Sequence, residues 1–95
     1  MEFRTYELQT GFLGVKKKSG IELHIAFDQR IFPALSVWLI GGGWRGHECL
    51  MAEFFTGYPF VLSQAHESGF CPTLSAGSQL KTSVTYKLLG GVSYV

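Results

Sequence analysis

The chain has 95 residues, enough for one small domain with a thin margin of burial. Its 46% hydrophobic and 15% aromatic content, against 16% charged residues, excludes a disordered chain, and neither collagen nor heptad periodicity is present. The net charge of +1 excludes binding to nucleic acid by a broad basic surface, since the one basic run, Lys16-Lys17-Lys18, reads as a solvated turn.

In chain order, Thr10 to Lys16 is predicted to be a strand, turning through Lys17-Lys18-Ser19-Gly20 into the clearest strand of all. That strand runs from Ile21 to Phe27. Ile21, Leu23, Ile25 and Phe27 alternate with Glu22, His24 and Ala26, the period of two that a half-buried strand needs. Pro33 then marks a break. Ala34 to Ile40 reads as a buried strand carrying Trp38, and Gly41 to Gly46 reads as a loop. His47 to Phe55 is a second apolar segment, expected as strand, although its pattern also suits a helix. Turn chemistry follows at Thr56-Gly57-Tyr58-Pro59. A helix is predicted over Phe60 to Ser68, stopped by Gly69. After a turn at Ser75 to Ser78, Leu80 to Leu88 alternates again as a strand. The expectation is an all-β, antiparallel sandwich with one short helix, spanning residues 1–95 as a single domain.

Several motifs bear on chemistry. Gly41, Gly43 and Gly46 spell G-x-G-x-x-G, but no helix and second parallel strand follow, so a dinucleotide site is not expected. His47 and Cys49 supply two of the four ligands a closed zinc site needs, and Met51 stands where H-E-x-x-H requires its second histidine, so no metal is expected. Cys71 precedes Pro72 with no histidine close in sequence, and Cys49 and Cys71 are expected as free thiols. No cofactor motif is found. The apolar runs are too short to span a membrane as helices, and no secretory signal pattern opens the sequence, which predicts a cytoplasmic protein.

Glu53 stands out, being acidic within Leu50-Met51-Ala52-Glu53-Phe54-Phe55. Buried, it would be a tuned general base; on the polar face of a strand, it would be ordinary. Trp44 and Tyr58 beside a glycine-rich stretch, with Arg45 as a polar partner, fit sugar recognition: rings stack on the C–H face of a pyranose and charged groups bind its hydroxyls. The same rings would equally serve a core.

Phe27-Asp28, Phe32-Pro33, Trp38, Gly42-Gly43-Trp44-Arg45-Gly46 and Ala52-Glu53-Phe54-Phe55-Thr56-Gly57-Tyr58-Pro59 together resemble the C-terminal part of galactose mutarotase-like (aldose 1-epimerase-related) proteins. Leu62, Ala65 and Gly69, the Leu74-Ser75-Ala76-Gly77 turn and the Leu80 to Leu88 strand extend the resemblance, which covers residues 10 to 89. It implies the last third of a β-supersandwich, a hexose as ligand, and anomer interconversion as the reaction. Glu53 falls where the family has its base, and Trp44, Arg45 and Tyr58 become candidate sugar contacts. Phe54 stands in place of the family's proline, and none of His24, His47 and His66 matches its acid histidines. A non-catalytic carbohydrate-binding or structural β module is therefore the alternative, and a truncated chain that needs an upstream piece is a further one. Sheet edges left bare by so short a chain would favour a homo-oligomer.

Overall fold

A computed structural model describes residues 2–90, apart from the side chain of Trp44. The chain forms an all-β fold with one short helix. In order it contains β1 (Glu2–Thr5), β2 (Phe12–Lys16), β3 (Glu22–Ala26), β4 (Ala34–Trp44), β5 (His47–Phe55), α1 (Leu62–Ser68) and β6 (Thr85–Leu89). Two antiparallel sheets result, with strand orders β1-β4-β5 and β2-β3-β6.

The second sheet follows the sequence pattern closely. β2 and β3 pair from Phe12↔Ala26 to Lys16↔Glu22, and Gly20 takes a φ of 95° in the turn, donating its N–H to the Lys17 carbonyl at 2.9 Å. Leu23, Ile25 and Phe27 share the inner face, while Lys16 and His24 both reach Glu22 on the outer one. β6 completes the sheet beside β3, with Ile25 opposite Tyr86 and Leu23 opposite Leu88. It begins at Thr85, so the expected strand from Leu80 is shorter at its start. Residues 80–84 lack ladder pairing despite their alternation.

The first sheet corrects one expectation. Gly41 to Gly46 is not a loop: β4 runs on through Trp44, with a register shift between Gly41 and Trp44 where Gly42 has a φ of 86°. Arg45 (φ 51°) and Gly46 (φ 70°) alone make the connection to β5. Positive φ at both central residues is the geometry of the two-residue hairpin turn, whose twist matches that of the strands it joins. Glycines that look like a loop in sequence here supply a bulge and a turn. The ambiguous His47 to Phe55 segment is a strand, paired with β4 from Ala34↔Phe55 onwards. β1, which the sequence reading passed over, pairs with β4 from Glu2↔Trp38 to Thr5↔Leu35.

The sheets meet through Phe27 and Phe54, whose ring centroids lie 4.7 Å apart, with Phe32 at 6.1 Å from Phe54. Ile25, Phe27 and Leu35 are buried around this contact. Gly11 is required here: its carbonyl accepts the Phe27 N–H at 2.9 Å, and a β-carbon at Gly11 would overlap the Phe27 carbonyl. α1 lies near the Phe55 end of the first sheet. Gly69 ends it in the left-handed region (φ 80°), and the N–H groups at this end return to the carbonyls of Ala65 and His66.

Candidate functional site

Register decides which side chains share a surface. In an antiparallel sheet, directly paired residues point the same way, and the next residue along points to the other face. Arg4 pairs with Ser36 and Ser36 with Glu53, so these three form one row across the first sheet. Glu2, Trp38 and Met51 form the adjacent row on the same face. This is the outer face, because Leu35 and Phe54 on the alternate positions point toward the second sheet.

The rows are tied together by hydrogen bonds. Ser36, only 1% exposed, donates its hydroxyl to Glu2 Oε1 at 2.7 Å. Arg4 donates to the same carboxylate from Nε (2.8 Å) and Nη2 (3.3 Å). Bonds from Arg4 and then Ser36 hold the Glu2 carboxyl below the usual glutamate range. The Arg4 guanidinium also lies over the Phe60 ring, 5.1 Å from its centroid. Trp38 was expected to be buried, yet its side chain sits on this outer face and it is 37% exposed. The reason is register: an apolar run of seven residues contributes alternately to both faces, and only Leu35 and Val37 of its central part face the core side.

A cluster of rings borders the rows. Tyr58 stacks on Tyr6 (5.3 Å) and on Phe70 (4.5 Å); Tyr6 meets Phe60 edge-on at 5.4 Å; Phe60 stacks on Phe55 at 3.9 Å. The Tyr58-Pro59 peptide bond is cis. Loss of hydration raises the Tyr58 hydroxyl above its ordinary value, and Glu7 adds to the shift.

Glu53, Tyr58 and Arg45, singled out in the sequence, do not converge. Glu53 is exposed, in the row with Ser36 and Arg4. Tyr58 stands at the border of the same face through its stack on Tyr6. Arg45 is exposed at the β4–β5 tip, beside Trp44, whose side chain lies outside the described residues. His47 at the tip and Glu53 lie six positions apart on β5, about 20 Å at a strand's rise per residue. Arg45 and Glu53 therefore cannot hold the same monosaccharide. Sequence reasoning missed Glu2, Arg4, Tyr6 and Ser36. The available signal was the polar–apolar alternation of Glu2-Phe3-Arg4-Thr5, too short to stand alone.

The histidines lie apart from the Glu53 row: His24 on the second sheet, bonded to Glu22 at 3.1 Å, His47 near the tip, and His66 on α1. Three clefts share Thr56 and Pro72; one of about 420 Å³ is walled by Ile31, Leu74 and Leu80, and Glu53 lines none of the three. Cys49 and Cys71 are free thiols. Among the described residues, no three of His, Cys, Asp and Glu gather as a metal site, and no helix is long and apolar enough to cross a membrane. No family model, curated protein or solved structure matches this chain.

Proposed function

We propose that this chain is a carbohydrate-binding β module of galactose mutarotase-like type, taking a hexose on the outer face of the β1-β4-β5 sheet. The observation that carries this reading is Trp38: an indole 37% exposed in the row beside Ser36, with Glu2, Arg4 and Glu53 on the same face. A pyranose needs an aromatic surface for its C–H face and ionised groups for its hydroxyls. Carboxylates accept from hydroxyl groups and a guanidinium donates to them. Diagonal neighbours across paired strands lie about 7–8 Å apart, which puts Glu53 within a sugar's width of Trp38. Tyr58 belongs to the edge of this surface. Arg45, at the hairpin tip, does not belong to it.

Anomer interconversion is the second reading. It rests on Glu53, which occupies the base position in the resemblance at residues 52–59 and shares the face with Trp38. The reaction needs a proton taken from the anomeric hydroxyl and another delivered to the ring oxygen. Glu53 can do the first. With no histidine in its row, recognition takes precedence over catalysis for this chain.

The test is an amide and indole NMR titration with glucose and galactose, followed by polarimetry. Binding at this face shifts the Trp38 indole and the Ser36 and Glu53 amides. Trp38→Ala then weakens affinity at least about tenfold, or 1.4 kcal/mol, while Arg45→Ala leaves it unchanged. Shifts confined to the tip, or none with either sugar, overturn the proposal. Mutarotation that is accelerated by the chain and abolished by Glu53→Gln would promote the second reading over the first.

A further inference from the structure

The outer edge of β5 is the longest bare edge of either sheet. β5 has nine residues, against four in β1 and five each in β2 and β6, the other edge strands. Among the described residues, β4 is the one element whose α-carbons come within 8 Å of β5. Proteins protect such an edge with proline, lysine, a bulge or a covering segment. β5 contains neither proline nor lysine, and the irregularity of its hairpin lies on β4, between Gly41 and Trp44. A regular edge strand offers its outward N–H and C=O groups to one more strand.

The charges on β5 select the strand that fits. A two-fold axis perpendicular to the sheet sets two copies of β5 antiparallel and keeps each face on its own side. Residues then pair only within a face: His47, Cys49, Met51 and Glu53 on the outer one, Glu48, Leu50 and Ala52 on the inner one. An axis through Glu48 or through Glu53 would set a carboxylate against its own copy. An axis through Leu50 sets His47 of each copy opposite the partner's Glu53, Cys49 opposite the partner's Met51, and Glu48 opposite the partner's Ala52. An imidazole N–H donates to a carboxylate in either protonation state, and directly opposed residues have β-carbons about 4.5–5.5 Å apart. The pairing occupies His47 to Glu53 and stops short of Phe55, whose ring stacks on Phe60.

We infer that two copies of this chain join edge to edge, β5 pairing with β5 antiparallel about Leu50, to make one six-stranded sheet in the order β1-β4-β5-β5-β4-β1. Length, regularity and self-complementary charge carry the inference, which does not rest on the sugar reading. Trp38 lies on β4, away from the new seam, so the two can be tested apart.

Sedimentation equilibrium of the full chain, from micromolar to millimolar concentration, tests it. The expected result is a reversible dimer. His47→Glu sets like charges opposite each other twice and raises the dissociation constant about tenfold. Adding Glu53→Lys to that variant restores the opposite-charge pairs and most of the affinity, whereas Lys87→Glu, on the β6 edge, leaves the wild-type value unchanged. Isotope-filtered NOE measurements on mixed wild-type copies give a readout that does not depend on the variants folding: cross-copy contacts are expected between the two Leu50 side chains, and between Cys49 and the partner's Met51. A monomer throughout the range, open-ended aggregates, a double variant no tighter than His47→Glu alone, or cross-copy contacts on another edge or face would each overturn the inference.

Discussion

The two ends of the space between the sheets are made from the same kinds of residue and behave differently. At the closed end, Phe27 and Phe54 face each other at 4.7 Å, and Ile25 and Leu35 disappear from solvent. At the open end, Leu88 occupies an equally regular inward position and is 72% exposed. An inward register is thus necessary for burial and does not guarantee it; a second layer must lie within van der Waals reach. Stability should therefore be concentrated at one end.

The largest expected effect tests that division directly. Phe54→Ala removes the ring that joins the sheets and should cost about 3 kcal/mol in denaturant unfolding. Leu88→Ala should change stability by less than about 0.5 kcal/mol. Equal losses at the two positions would mean that the open end is packed in solution.

Gly11→Ala sharpens the account of the closed end. The added methyl group meets the Phe27 carbonyl and displaces the strand that carries the Phe27 N–H bond to Gly11. A loss of about 2 kcal/mol is expected, with amide exchange accelerated at Phe27. Exchange unchanged at Phe27 would show that the chain yields elsewhere.

The smallest effect compares the inner and outer faces of the first sheet. Ser36→Ala removes one of the two side chains that donate to Glu2, at a cost of about 1 kcal/mol, and should move the Glu2 carboxyl back toward its ordinary value. Because the folded value is depressed, the Glu2 contribution is complete above the ordinary glutamate range, near pH 4.3, and is lost as the pH falls through the lower folded value. Carboxyl NMR titration of the wild type and the variant should show this; an unmoved Glu2 would mean that Arg4 alone holds it.

Much of this arrangement could be read from the residues. The β2–β3 hairpin was visible in its alternation and in Gly20, and α1 in its stop at Gly69. Cues of this kind act within a few residues, so they survive in sequence. The glycine run after Ile40 misled because glycine favours a loop, a bulge and a positive-φ turn alike, and only cross-strand pairing with His47 distinguishes them. The candidate site was half visible. Glu53 was noticed as an acid in an apolar strand, whereas Arg4, Ser36 and Trp38 acquire meaning only beside it.

By itself, then, the sequence determined the all-β character, the helix stop and the alternation that assigns each strand residue to one of two faces. These follow from backbone sterics and local periodicity. Tertiary structure decided which face was inside, that Trp38 lies in the outer row beside the Arg4–Ser36–Glu53 row while Arg45 stands beyond the opposite end of β5 from Glu53, and that the core closes at one end only. Those outcomes depend on pairing between segments far apart in the chain, as in the bond of Ser36 to Glu2, 34 residues away, and no local pattern encodes a partner at that distance.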